Sequence, residues 1–186
     1  MRSIRKNLIA LTSVILVFFA ASASAVPITY EGSLADGVTE TGTVSGNFRS
    51  ASSSLSDYWS FFAQAGDSID IIVLRLNVAL DPALWVFQGI IADDSFFGAS
   101  IDNGDAGFVD FADDEIPNVG PFGDAHSVFI APITGFYSAI VTNFASSLAG
   151  PLPYSIVARG IPEPGTLILF GLGLAGLGLS RRRKNL

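Results

Sequence analysis

Acidic side chains crowd into one part of this 186-residue chain. Asp93, Asp94, Asp102, Asp105, Asp110, Asp113, Asp114, Glu115 and Asp124 place nine carboxylates within thirty-two positions. Carboxylates converging with backbone carbonyls on loops are what a hard cation such as Ca²⁺ needs, with about six to eight oxygens at roughly 2.3–2.6 Å. Asp102-Asn103-Gly104-Asp105-Ala106-Gly107 has the outline of a calcium loop. Its third position is Gly and the closing Glu is missing, so the EF-hand spacing fails. Asp113, Asp114 and Asp124 are the better ligand candidates. The competing reading is a solvated acidic loop that keeps the chain soluble and blunts sheet edges.

Catalytic constellations are poorly supplied. Paired carboxylates serve glycoside hydrolysis, but a small sandwich offers little room for a substrate cleft. His126 is the single histidine, so a Ser-His-Asp arrangement has to use it with Asp124 and one of many serines. No G-x-S-x-G elbow accompanies it, and His126 opens an apolar strand, where an ordinary strand-end role is expected. Phosphate-loop and H-E-x-x-H motifs are missing from the sequence. With no cysteine there is no thiol nucleophile, zinc-thiolate site or disulfide scaffold. The chain reads as non-enzymatic with no required cofactor, and calcium is the candidate ion.

The two ends carry addresses rather than fold. Arg2, Arg5 and Lys6 precede an apolar run over residues 8–20, and Ala23-Ser24-Ala25 then supplies the small-x-small pattern that signal peptidase recognises. Cleavage is expected after Ala25, with Ala21-Ser22-Ala23 as a nearby competitor. At the other end come Pro162-Glu163-Pro164, an apolar run over 167–179, and Arg181-Arg182-Arg183-Lys184. Thirteen residues at about 1.5 Å each make a helix of roughly 20 Å, short of a hydrocarbon core of about 30 Å. Glycines at 171, 173, 176 and 178 weaken it further. The basic cluster favours the cytoplasmic side and puts the acidic body outside. Such a span suits transient membrane insertion, against the alternative of a plain C-terminal anchor.

This tail resembles the PEP-CTERM sorting signal of exported Gram-negative proteins. The resemblance implies that Pro162, Glu163 and Pro164 form the motif recognised by the protease-transpeptidase exosortase, with Arg181, Arg182, Arg183 and Lys184 as the membrane stop. Three segments follow: 1–25 a signal peptide, 26–161 the mature body, and 162–186 the sorting signal.

The body holds sixteen acids against Arg49, Arg75 and Arg159, a balance near −13 without a lysine. That charge argues against nucleic acid and anionic lipid headgroups, which need clustered cations. It suits calcium, cationic polymers or a polysaccharide matrix. Short apolar segments at 28–34, 39–48, 58–63, 69–76, 84–87, 127–130, 136–142 and 154–158 alternate with Gly, Pro, Asn and Asp turns. No helical period lasts twelve residues. This predicts an all-β fold, a single antiparallel β-sandwich of jelly-roll or Greek-key type, flanked by a signal-peptide helix and a short C-terminal transmembrane helix. The interior of residues 69–76 is apolar on both faces, as for a central strand, and whether 26–47 joins the sandwich stays open.

Asp57-Tyr58-Trp59-Ser60-Phe61, Ala65-Gly66-Asp67 and Leu80-Asp81-Pro82-Ala83-Leu84 stand in the order seen in bacterial pre-peptidase C-terminal (PPC) domains. Asp113-Asp114, Asp124, residues 129–132, Gly135-Phe136-Tyr137 and Tyr154-Ser155-Ile156 continue it. The body resembles that family over residues 57–158, without a preceding peptidase domain and with a longer loop at 95–112. The resemblance implies a small, usually non-catalytic sandwich and raises the case for calcium. Among the aromatics most are expected between the sheets, with Phe96 and Phe97 in the long loop the pair expected to be exposed. The expectation is thus an exported, non-enzymatic structural or adhesive protein of the envelope or extracellular matrix, linked to exopolysaccharide or biofilm. The alternative is a calcium- or carbohydrate-binding module, and a small hydrolase comes last.

Overall fold

The computed structural model describes residues 25–46, 49–97, 100–145 and 150–162. The signal-peptide helix, Ala23, Glu163, Pro164, the apolar tail and Arg181–Lys184 lie outside these residues. Among the described residues nine strands form two sheets: β1 (Tyr30–Ser33), β2 (Thr39–Val44), β3 (Asp57–Ala63), β4 (Ser68–Arg75), β5 (Pro82–Gln88), β6 (Phe108–Ala112), β7 (Ala125–Ile130), β8 (Gly135–Asn143) and β9 (Leu152–Arg159). One sheet runs β1-β3-β8-β5-β6 and the other β2-β9-β4-β7. All pairings between them are antiparallel except β1 with β3, which is parallel. The sandwich expected from the turn spacing is therefore the fold. Residues 26–46, the described part of 26–47, join it, giving β1 to one sheet and β2 to the other.

Alternation along the strands builds the space between the sheets. Trp59, Phe61 and Ala63 of β3, Leu84 and Val86 of β5, and Tyr137, Ala139 and Val141 of β8 face Ile69, Ile71 and Val73 of β4 and Tyr154, Ile156 and Ala158 of β9. Side chains two apart share a face, so every second residue lands in this core. β4 is central in its sheet, as its apolar run suggested, but only one face is covered: Leu74 is 38 % exposed.

The five-stranded sheet is also covered over part of its outer face. Tyr58, Trp85, Phe87 and Ile140 point away from the first core and are covered by Ile91, Phe97 and Ile101 of the segment after β5. That segment contains a 3-10 turn, Asp94–Phe97, and ends in β6. The described residues of the span 95–112, read from the sequence as one long loop, thus form a lid followed by an edge strand. Phe97 is the correction to the expected exposed pair: it is 4 % exposed, whereas Phe96 is 42 % exposed. Phe97 packs edge-on against Phe87 at 5.1 Å between ring centroids. Burying one large ring on another is the cheapest way to dry the outer face of β5 and β8.

One polar chain crosses the first core. Trp59 Nε1 donates to the Tyr154 hydroxyl (2.8 Å), which donates to Asp57 Oδ2 (2.7 Å), which also accepts the Thr43 amide (2.9 Å). β3 of one sheet is thereby tied to β2 and β9 of the other. Burial pushes Asp57 up to about 6, against the pull of the Tyr154 hydrogen bond. Asp57, Glu31 and Tyr154 also line a cavity of about 510 Å³ with Thr41, Gly42, Thr43, Leu76 and Pro153.

Candidate metal centre

The acidic region resolves into carboxylates with structural partners and carboxylates without. Asp93 accepts from the Ser95 amide and hydroxyl, and Asp94 Oδ1 accepts the Val26 amide. Asp105 accepts the Asp102 amide, while Asp102 accepts the Gly104 amide and pairs with Arg49 at 2.8 Å. The calcium-like run 102–107 therefore closes on itself. Asp110 accepts from Ser127. Glu115 Oε2 accepts the Asp113 amide (2.7 Å) and the His126 amide (3.2 Å). These contacts hold turns and strand ends.

Asp124 is also committed. It is 2 % exposed, and Oδ1 accepts the Arg75 amide at 3.0 Å with the Arg75 guanidinium 3.9 Å away. Its Oδ2 accepts Asn118 Nδ2 at 2.6 Å. The two oxygens thus serve two amides and one buried cation, and Asp124 is not gathered with Asp113 and Asp114. A buried carboxylate so paired would leave an uncompensated guanidinium if it turned elsewhere.

Asp81 takes its place beside them. Ligand oxygens of Asp81, Asp113 and Asp114 all lie within 4.8 Å of one another. Two oxygens each about 2.4 Å from one ion are at most about 4.8 Å apart, so the three meet the spacing limit that a shared Ca²⁺ sets. Asp81 sits immediately before β5, where Asn143 Oδ1 accepts its amide (3.2 Å) and its carbonyl accepts the Phe144 amide (2.6 Å). Asp113 follows β6, the neighbour of β5, and Asp114 is held by the Gly123 amide on its Oδ1. A Cβ at Gly123 would stand 2.8 Å from Asp114 Cα, so this close approach requires glycine.

Asp81 is 4 % exposed, and its Oδ1 is buried without a hydrogen-bond partner; Asp113 Oδ1 is buried and unpartnered too. Buried carboxylate oxygens left this way cost free energy unless a proton or a cation meets them. Burial, with Asp81, Asp114 and Glu115 close by, pushes Asp113 up to about 7. Burial and Asp114 push Asp81 up to about 6, the Arg75 guanidinium pulling it part of the way back. Three carboxylates here compete for positive charge.

The single histidine has a different neighbour from the one a triad needs. His126 Nε2 lies 3.1 Å from Asp70 Oδ1, across the β4–β7 pair, while Asp124 is turned to Arg75. The Ser-His-Asp124 grouping is not assembled. Asp81 went unnoticed in the sequence because Asp81-Pro82 reads as a strand breaker. The signal that would have found it is β6: once 108–112 is seen as a strand beside β5, the start of β5 and the end of β6 must meet.

Comparison with known proteins adds the tail. Residues 160–184 match the PEP-CTERM protein-sorting motif. The chain is an exported, envelope-targeted protein, and its motif implies processing by exosortase. No helix among the described residues is long and apolar enough to cross a membrane. The sandwich is similar to the surface-associated copper-binding protein CorA of Methylomicrobium album BG8, with 14 % identity over 73 % of this chain and 99 % of that one, at a TM-score of 0.50. It is also similar to the pre-peptidase C-terminal domain of a Bacillus anthracis collagenase, with 14 % identity over 70 % of this chain and 97 % of that one, at a TM-score of 0.43. A third is the secreted protein MopE of Methylococcus capsulatus, with 12 % identity over 70 % and 87 % and a TM-score of 0.46. These likenesses concern the fold. No curated protein matches this chain by sequence.

Proposed function

We propose that this chain is a non-enzymatic, exported β-sandwich, matured by signal peptidase after Ala25 and by exosortase at Pro162-Glu163-Pro164. Its body would then stay in the envelope or extracellular matrix with Ca²⁺ held by Asp81, Asp113 and Asp114. The observation that carries the calcium reading is the pair of buried, unpartnered oxygens on Asp81 and Asp113 within reach of Asp114. Waters and backbone carbonyls would complete the shell of about six to eight oxygens. The copper binding of the surface-associated neighbour is a poor guide to this site. Copper favours imidazole and sulfur ligands, whereas these donors are hard carboxylates and the single histidine faces Asp70.

A structural or adhesive role beside exopolysaccharide is supported by the surface. The body carries near −13 net charge, which solvates it in a polar matrix. Phe62 and Phe136 form an exposed cross-strand pair at 5.6 Å, a platform on which sugar rings can stack.

Thermal melts and calorimetric titration of the mature chain with CaCl₂ test the metal. The melting temperature rises at millimolar Ca²⁺, returns with chelator, and no longer responds in Asp81→Asn/Asp113→Asn. Asp124→Asn behaves differently, being destabilised with or without Ca²⁺ because it weakens the charge opposite Arg75. A wild-type melt indifferent to millimolar Ca²⁺ ends the calcium reading and leaves export untouched.

A further inference from the structure

The described chain opens with a short antiparallel pairing that the sorting and metal readings leave unused. Val26 N donates to Asp94 Oδ1 at 2.8 Å, and the Asp94 amide donates back to the Val26 carbonyl at 3.0 Å. Pro27 bridges Asp93, and the Ile28 amide donates to the Ala92 carbonyl at 2.9 Å. Residues 26–28 therefore run along 92–94, the stretch that carries the lid over the aromatic face. Ile91 and Phe97 flank that stretch on the buried side, and Ile28 packs against the same cluster.

Val26 is also the first residue left if the leader is removed after Ala25. In the precursor its nitrogen is a peptide N–H making one hydrogen bond to a carboxylate. Hydrolysis adds water across the Ala25–Val26 amide: the leader departs with a new carboxylate, and Val26 keeps the nitrogen as a primary amine. Such an amine has a pKa of about 8 and takes up a proton at neutral pH. A cation then stands where the amide stood, against the same Asp94 oxygen. Charge-assisted bonds are roughly twice as strong as neutral ones. Cleavage after Ala23 gives no such pairing, because two further residues carry the ammonium roughly 7 Å along the chain.

We propose that Asp94 is the binding site for the mature N-terminus, so that cutting the Ala25–Val26 bond clamps the lid onto the five-stranded sheet. This rests on reading residues 1–25 as a leader. Leader removal then does more than release the protein. It converts a backbone contact into an ion pair at the seam between the segment leading into β1 and the cover of the second core.

The test compares full-length mature chains beginning at Val26 and at Ser24, each with Asp94 or Asp94→Asn, by thermal melts at low salt. The Val26 start melts about 2–4 °C above the Ser24 start. The gap closes in Asp94→Asn, and it closes when the Val26 amine is acetylated, which removes charge but keeps an N–H. Equal melting of the two starts, or a gap that survives Asp94→Asn, overturns the clamp. N-terminal sequencing of protein recovered from the envelope separates the two readings. A start at Val26 without an Asp94-dependent gap sinks the clamp and spares the leader, a start at Ser24 moves the cut and removes the pairing, and an intact Met1 removes leader and clamp together.

Discussion

Asp57 shows how one buried carboxylate makes stability depend on pH. Its unfolded value is near 3.8 and its folded value near 6, raised mainly by burial and further by Glu31, with the Tyr154 hydroxyl opposing. Folding therefore favours the protonated form. Its contribution is fully present below about pH 3.8 and is lost as pH rises through about 6. A rise of roughly two units corresponds to up to about 3 kcal/mol. Asp57→Asn removes the charge while keeping an oxygen for Tyr154 and Thr43. Urea melts at pH 4 and pH 7 should show wild type losing more stability than the variant across that interval, by about 2 kcal/mol or more. Equal losses would mean that Asp57 ionises freely in the folded chain. Asp124 teaches the opposite lesson. Its sequence neighbours suggested a metal ligand, but its partner is Arg75, forty-nine positions earlier, and no local pattern reveals that pairing.

Elements were legible in proportion to how long their alternation ran. β3, β4, β8 and β9 stand out because seven to nine residues each keep apolar side chains at every second position between turn residues. β6 did not, since Phe108–Ala112 is five residues long and follows a Gly- and Asp-rich turn. Missing it hid both the lid and the meeting of Asp81 with Asp113. The lid itself was unreadable because a 3-10 turn of four residues has no period, and only the packing shows which of Phe96 and Phe97 goes inside. Phe97 meets Phe87 at 5.1 Å and Phe96 at 4.9 Å, so truncation leaves a hole under the lid. Phe97→Ala should cost about 3–4 kcal/mol, as large-to-small changes in a packed core do. Phe96→Ala, at a site open to water, should cost less than about 1 kcal/mol. Comparable costs in chemical denaturation would show that residues 91–101 do not seal the outer face.

At the scale of the whole molecule the sandwich and the sorting signal meet without a spacer. Ile161 is still part of the first core at 7 % exposure, and its amide donates to Asp36 Oδ1 at 3.2 Å. Gly160, just before it, has φ +79°, a conformation that other L residues rarely adopt. The next residue is Pro162, where the Pro-Glu-Pro tripeptide begins. Cutting within Pro162-Glu163-Pro164 therefore removes nothing that the described fold uses, whereas cutting two residues earlier strips a buried side chain from the core. A chain of 26–162 should melt within about 1 °C of one that keeps the tail. A chain ending at Arg159 should lose roughly 2 kcal/mol, the worth of burying one isoleucine, or about 4–8 °C for a body of this order of size. Terminal-peptide mass spectrometry of native material supplies the cellular half of the test. A C-terminus within 162–164 fits a sandwich released whole from its membrane hold. A chain that still carries residues 167–184 in the envelope would make the tail a lasting anchor, and the proposed life in the matrix would lose its route.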